Sequence, residues 1–254
     1  MNELKFAEIS NEESLKQFID NRLIELYKSA QPRKIVGFEN LGPHKGIVPK
    51  ETIIDNGGAY YKIKNDDYIY LFISLLIKNH ITDLDKILNN IYPFLNMYFG
   101  KNGDSDLRIA IFKQNTSVEY LPDISILKQR NAAMCSERAA MAQNIFSFLG
   151  IESYYITGEI VKNGENVPHA FNIIKYNNRY LIYDASTDVP VYKDGKIVRY
   201  QFYIQEIDIE KFLSNSQVTI SDYCLEYQNN QYIRKKIGER IYSSWSSISK
   251  GYFK

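Results

Sequence analysis

The sequence is poor in the residues and runs on which several structural classes depend. Only two of its 254 residues are cysteine, Cys135 and Cys224, so a disulfide scaffold is excluded and a reducing compartment is expected. The longest apolar run, Ile69 to Ile77, falls well short of the roughly 18 residues that cross a bilayer. No charged stretch followed by an apolar one stands at the beginning. We therefore expect a protein without a membrane span that is cytoplasmic or delivered by a secretion route needing no signal.

Neither sign of charge is in excess. Lys and Arg number 31 against 30 for Asp and Glu, the formal charge is +1, and no run of five like charges occurs. Because phosphate binding needs a concentrated basic patch, we predict no nucleic-acid partner. Two distant cysteines and three histidines make a poor metal-ligand set, so neither a metal nor another cofactor is expected. Hydrophobic residues at 44% are enough for a buried core, and the oligomeric state is left open.

Residues 1–110 are predicted to be mainly helical and to pack on the remainder of the chain. Apolar residues at spacings of three and four predict a helix from Asn11 that ends before Pro32, and further helices over Asp67–Asn79 and Thr82–Phe99. The segment Ile35–Gly58 is rich in glycine and proline and reads as one long connection. Such a length predicts a loop that covers or contacts the active-site cleft, with a crossover on the far side as the alternative.

Residues 111–254 are predicted to form the catalytic core with a C-terminal extension, although a single domain over the whole chain is the alternative. An apolar stripe over Ser136–Leu149 predicts a buried helix that starts at Cys135. Strands are predicted over Ile151–Val161, Pro168–Tyr176 and Arg179–Ala185, followed by a helix over Ile207–Leu213 and a strand over Val218–Tyr227. The predicted fold class is α+β, with the helix packed on an antiparallel sheet.

Three residues of this core form a candidate catalytic set, namely Cys135, His169 and Asp184. The start of a helix favours an anion, and therefore a thiolate at Cys135. If Asn177 and Asn178 form a tight turn, Asp184 faces the residue two positions beyond His169, and a carboxylate and an imidazole on that diagonal can meet. An imidazole oriented by a carboxylate can accept a thiol proton and later donate it to a leaving group.

Each member of the set also has a purely structural interpretation. Cys135 taken alone resembles a small buried hydrophobe, His169 a core histidine satisfied by a carboxylate, and Asp184 a turn residue. The other cysteine, Cys224, is expected to be structural. Glu137, in the first turn of the helix, either binds substrate with Arg138 or belongs with it to the charged helix surface.

The order of these segments resembles the core of the transglutaminase-like superfamily of papain-type thiol enzymes. The resemblance rests on Met134 to Ala139, on the helix ending at Gly150-Ile151, on His169 to Asn172 and on Tyr183 to Ser186. It covers about residues 125 to 190 and implies a papain-like fold in which Cys135 is the nucleophile, His169 the base and Asp184 the orienting residue. Ala133 and Phe171 depart from the glycine and tryptophan that are frequent in the superfamily.

Papain-like enzymes also place a glutamine six residues before the nucleophile as an oxyanion donor. Gln129 has that spacing here, and Asn131 is the alternative. The function implied is attack on an amide or acyl group through a thioester, by a peptidase, amidase, glutamine deamidase or transglutaminase-type acyltransferase. The substrate would be a peptide, a protein or a small amide. The alternative is a catalytically silent relative that keeps a peptide- or protein-binding groove.

Overall fold

The computed structural model describes residues 9, 11–28, 30, 34–36, 44–56, 59–64, 66–101, 103–117, 119–162 and 164–244. This part of the chain has an α+β fold. Its α-helices are α1 (Glu12–Lys28), α2 (Asp67–Lys78), α3 (Leu84–Phe99), α4 (Ser105–Asn115), α5 (Cys135–Phe148) and α6 (Ile209–Asn215). Its strands are β1 (Lys34–Val36), β2 (His44–Lys45), β3 (Thr52–Asn56), β4 (Ala59–Ile63), β5 (Ser153–Lys162), β6 (Glu165–Tyr176), β7 (Arg179–Lys193), β8 (Lys196–Ile207), β9 (Gln217–Gln228) and β10 (Gln231–Ser244).

Aspartates begin three of the helices, because an aspartate side chain can accept the unpaired N–H groups of a first helical turn. Asp83, Asp104 and Asp208 each accept a hydrogen bond from the backbone N–H three residues on, at 3.0, 2.9 and 3.1 Å. The helix α5 is followed by Gly150 with a φ of 74°, a conformation that glycine adopts without strain. The end predicted for this helix is therefore confirmed.

The larger sheet closes on itself through its last strand. Its pairings run β2–β5–β6–β7–β9–β10, and β10 pairs again with β5, while β8 pairs with β7. Three antiparallel hairpins, β5–β6, β7–β8 and β9–β10, make up most of it. A separate small sheet joins β1, β3 and β4. The closure places residues near the end of the sequence beside strands that precede them by about 80 residues.

Two hydrophobic cores lie on opposite sides of the central strands. The first joins α1 to α5 with alternate residues of β5 to β7, from Ile19 to Ala185. The second lies among β5 to β10 and contains Phe171, Tyr203 and Tyr242. Successive side chains of a strand point to opposite faces, so β6 contributes to both cores and connects α5 with the closed sheet. No described helix combines the length and apolar character that a bilayer crossing requires.

Several sequence predictions need correction. The segment predicted as one long connection contains β1, β2 and β3, and Ile47, Val48 and Ile54 are buried. Hydrogen bonds between the Val48 backbone and the side chain of Asn144 hold residues 44–56 against α5, so these residues are part of the scaffold. Residues 37–43 and 57–58 of that prediction lie outside the described residues. The sequence reading also missed α4, β8 and the strand character of β10.

Candidate active site

Cys135 is the first residue of α5 and is half-buried. The chain reaches it through Ala132 and Ala133, both buried, and Met134 in extended conformation. The Met134 N–H donates to Glu137 Oε2 at 2.9 Å, which fixes the backbone just before the helix. The first N–H groups of a helix carry partial positive charge, so negative charge that develops at Cys135 lies beside them.

Glu137 anchors this helix start from inside the protein. Its Oε1 accepts hydrogen bonds from Tyr61 Oη at 2.6 Å, Arg108 Nη2 at 2.7 Å and Ser136 Oγ at 3.0 Å. Burial opposes ionisation, but Arg108 and these donors hold the pKa of Glu137 below its ordinary value. Glu137 is fully buried, which contradicts both sequence interpretations of this residue, as a substrate contact or as a helix-surface charge.

Arg138 is also buried and ties α5 to the end of α3. Its Nη1 donates to Asn96 Oδ1 at 2.8 Å, its Nη2 donates to the Gly100 carbonyl, and its Nε donates to the Ala133 carbonyl at 3.3 Å. Burial lowers the pKa of Arg138 to about 10, although Glu137 and Cys135 act in the opposite direction. This burial contradicts the interpretation of Arg138 as a helix-surface charge, because its guanidinium donates to backbone carbonyls inside the protein.

The β6–β7 hairpin has the predicted register. Tyr176 pairs with Arg179 and Asn172 with Tyr183, and the two turn asparagines have positive φ. The Asn172 side chain donates to the Ala139 carbonyl at 3.1 Å, which fixes β6 beside the first turns of α5. The hairpin turn and the contact with the helix together determine where His169 lies relative to Cys135.

Cys135, His169 and Asp184 come together as the sequence predicted. His169 Nε2 lies 2.8 Å from Asp184 Oδ2, and the Cys135 side chain is close enough to the same imidazole to raise its pKa. Since Nε2 is taken by the carboxylate, Nδ1 is the ring nitrogen left for the sulfur. His169 is 7% exposed and Asp184 is fully buried, so little water competes for the pair.

Asp184 is held by five hydrogen bonds, four of them from groups other than His169. A bulge between Asp184 and Asp188 in β7 turns two neighbours back onto the carboxylate. Ser186 donates from N and Oγ at 3.1 and 2.8 Å, and Thr187 donates from Oγ1 at 2.7 Å. The fifth donor is Tyr242 Oη, at 2.7 Å, from the last strand.

In the buried pair, His169 and Asp184 each stabilise the ionised form of the other. Burial disfavours an imidazolium, but the neighbouring Asp184 and Cys135 side chains outweigh it and raise the pKa of His169 to about 10. Burial likewise opposes the carboxylate, yet the charge of His169 and the donated hydrogen bonds hold the pKa of Asp184 well below its ordinary value. An ionised Asp184 therefore stabilises a protonated His169 next to Cys135.

Tyr242 reaches the site because β10 crosses close to β5 at Gly158. A Cβ atom on Gly158 would lie 1.7 Å from the Ser243 carbonyl oxygen, so only glycine fits there. Gly158 also pairs with His169 across β5 and β6. Sequence reasoning missed Tyr242, since it is one of 21 tyrosines and its neighbours carry no catalytic motif.

The two predicted oxyanion residues lie in the loop that precedes α5. Gln129 and Asn131 are exposed, have positive φ, and donate their backbone N–H groups to the Tyr98 and Phe99 carbonyls. In the described part of the chain, neither side chain is hydrogen-bonded to the triad. Their role in oxyanion binding stays a prediction.

A different polar group near Cys135 was not anticipated. The Tyr155 hydroxyl is buried and makes no hydrogen bond within the described residues. Burial raises the pKa of Tyr155 well above its ordinary value, and the charge of Cys135 adds to this rise, so the two side chains lie within electrostatic reach. A hydroxyl that has no acceptor and lies next to a nucleophile can donate a hydrogen bond to the negative charge that develops during attack.

Comparison with known proteins adds no assignment. No protein-family model matches the sequence. A search of curated proteins likewise finds no match. Among the described residues, no three His, Cys, Asp or Glu side chains are grouped so that they could hold a metal ion. The interpretation of the site therefore depends on its own geometry.

Proposed function

We propose that the protein is a thiol enzyme that uses Cys135, His169 and Asp184 to attack an amide or acyl group. The observation that carries the proposal is an imidazole that binds Asp184 at 2.8 Å and lies within interacting distance of Cys135, the first residue of α5. A histidine with only a structural role would not need a cysteine at the start of a helix beside its second ring nitrogen. The transglutaminase-like, papain-type fold suggested by the sequence is part of this proposal.

The tautomer follows from the donors around Asp184. A carboxylate only accepts, so His169 Nε2 carries a proton, and Nδ1 takes the proton of Cys135, which gives the protonated imidazole that Asp184 stabilises. The thiolate then attacks the carbonyl carbon, and the C–N bond breaks as the leaving amine takes the proton from Nδ1. Water or an acceptor amine, deprotonated by the same nitrogen, resolves the thioester and regenerates the thiol.

The oxyanion that forms during attack needs donors close to the sulfur. The backbone N–H groups of the first turn of α5 point out of the helix end, and the Tyr155 hydroxyl has no acceptor of its own. One such donor is typically worth about 2.7 to 4 kcal/mol of barrier. Gln129 and Asn131 are alternative donors in the adjoining loop.

The test is a substrate screen with three readouts. The protein is incubated with glutamine-containing peptides, with and without an amine, while ammonia release, new amide bonds and backbone cleavage are followed in parallel. Activity in any channel that disappears in Cys135→Ala and persists in Cys224→Ser supports the proposal. Activity that survives Cys135→Ala contradicts it, and tight peptide binding without turnover favours the silent binding protein.

A further inference from the structure

A slot of about 770 Å³ lies between α3 and β8. This volume is within the range of small-ligand and peptide sites. On the helix side it is lined by Asn89, Tyr92, Pro93, Asn96 and Met97. These positions follow the spacing i, i+3, i+4, i+7 and i+8, so one continuous face of α3 forms this wall.

The opposite wall is the edge of a strand. Three consecutive residues of β8, Arg199, Tyr200 and Gln201, line the slot. Because successive side chains point to opposite faces of a sheet, a cavity reached by three in a row lies against the strand edge. On the opposite edge of β8, these three residues pair with Val191, Pro190 and Val189 of β7. In the described chain, β8 has no second strand partner.

An edge strand that faces a helix across a slot can accept an added strand. Its unpaired N–H and C=O groups supply main-chain hydrogen bonds, and the helix supplies contacts for alternate side chains. Tyr200 and Met97 are 55% and 49% exposed, so apolar surface is available on both walls. The side-chain amides of Asn89, Asn96 and Gln201 can hydrogen-bond to a peptide backbone.

The charge of the slot is of one sign. Lys101 and Arg199 line it, and no acidic residue does. Arg199 lies over the ring of Tyr232, with its guanidinium carbon 5.1 Å from the ring centroid, and Lys101 is exposed. Within the described residues, neither side chain forms an ion pair. The slot therefore favours carboxylates.

The slot also adjoins the candidate active site. Asn96, in its helix wall, accepts the hydrogen bond from Arg138, which lies one turn beyond Cys135 in α5. Gln201, in its strand wall, pairs with Val189, the residue after the bulge that holds Asp184. Each wall of the slot is therefore one contact away from an element that carries a residue of the triad.

We infer that the slot binds an extended, acidic peptide segment, which adds as a strand to the free edge of β8. The inference rests on the proposed function only in identifying that segment as part of the substrate. Binding itself is independent of the thiol chemistry, so the two claims fail separately.

The experiment uses three matched probes and fluorescence anisotropy on the whole protein. The probes are fluorescein-labelled heptapeptides of alternating valine and glutamate, the same sequence with glutamine for glutamate, and the glutamate sequence with alternate backbone nitrogens methylated. An exposed ion pair contributes roughly two- to fivefold, so the glutamate peptide should bind about tenfold more tightly than its glutamine counterpart. Methylation, which removes strand hydrogen bonds, should weaken binding by about tenfold or more.

Charge reversals locate the site. Lys101→Glu and Arg199→Glu should each reduce affinity for the glutamate peptide by at least about two- to fivefold. The double substitution should abolish the preference for the glutamate peptide over the glutamine peptide. Lys196→Glu changes the net charge equally on the same strand outside the slot, and it should leave affinity within about twofold. Equal binding of the three probes, equal effects of the three reversals, or no saturation by about 1 mM would each overturn the inference.

Two further readouts complete the test. A chloroacetylated glutamate peptide should label Cys135 faster than its glutamine form, and equal rates would overturn the assignment of the slot to the substrate. If iodoacetamide labelling of Cys135 is independent of His169, the proposed chemistry fails while the anisotropy result stands. Dimerisation through β8, detected by sedimentation and abolished by Tyr200→Lys, would also overturn the inference, because a second copy would then be the occupant.

Discussion

Asp184→Asn should remove the negative charge at position 184 and also change the tautomer of His169. In the wild type, Asp184 Oδ2 accepts from His169, Thr187 and Tyr242, while Oδ1 accepts twice from Ser186. An asparagine keeps its oxygen toward the two Ser186 donors, which leaves its NH₂ group facing the imidazole. His169 Nε2 must then accept a hydrogen bond, and the ring proton moves to Nδ1, the nitrogen that faces Cys135.

The expected loss of rate is large because this tautomer cannot accept the thiol proton. Neutralising the orienting carboxylate costs about 10⁴ in kcat in other triads. Stability should also fall, since hydrogen bonds to a charged group contribute about 1.5 to 3 kcal/mol each and at least one hydroxyl must reorient. Asp184→Asn should therefore lower the free energy of unfolding at pH 7 by about 2 kcal/mol.

The tautomer can be read directly, since the sequence has only three histidines. Selective ¹⁵N-histidine labelling and long-range ¹H–¹⁵N correlation should show His169 protonated at Nε2 in the wild type and at Nδ1 alone in Asp184→Asn. His44, whose Nε2 lies 2.7 Å from the Ile47 carbonyl, is an internal reference. An unchanged tautomer, or a rate of Cys135 modification within about tenfold of the wild type, would refute this reasoning.

Three further substitutions test separate parts of the account. Cys135→Ala should abolish turnover while Tm, measured by calorimetry, stays within about 2 °C, because a half-buried thiol leaves little cavity; retained turnover would contradict the nucleophile assignment. Glu137→Gln should lower the free energy of unfolding in urea by about 3 to 5 kcal/mol, since Arg108 keeps a buried charge without its counter-ion; a change below about 1 kcal/mol would show that the pair is not needed. Gly158→Ala should destabilise the protein and slow Cys135 labelling, because its Cβ meets the Ser243 carbonyl; wild-type behaviour in both assays would mean that β10 does not approach as described.

The pKa shifts also predict how stability depends on pH. The pKa of Asp184 is lowered in the folded protein, so its contribution is present above about pH 4, its unfolded value, and is lost as pH falls through the folded value. The pKa of His169 is raised, so its contribution is complete below about pH 6.5 and is lost as pH rises toward about 10.

The local parts of the site could be predicted from the sequence because short-range rules determine them. An apolar stripe places Cys135 at the start of α5, and two asparagines that tolerate positive φ set the register of β6 and β7. From that register the proximity of His169 and Asp184 follows. Each of these inferences spans fewer than about 20 residues, within which periodicity and turn chemistry determine the geometry.

The remaining features depend on contacts between distant segments. Glu137 has the sequence context of an exposed first-turn acid, and only its contacts with Tyr61 and Arg108 make it a buried anchor. Tyr242 lies 58 residues beyond Asp184 and reaches it because β10 closes the sheet at Gly158. Gly46 and Pro49, in residues 44–56, indicate turns, yet pairing with neighbouring strands gives this segment its structure.

The central claim, that His169 activates Cys135, is tested most directly by the rate of thiol modification. Iodoacetamide labelling of Cys135 should be followed by peptide mass spectrometry from about pH 5 to 9, with the buried Cys224 in the same molecule as the internal reference. The account predicts rapid labelling of Cys135 at neutral pH that slows by about a hundredfold in His169→Ala, the size of a typical general-base contribution. Equal rates for the two proteins across this range would contradict it.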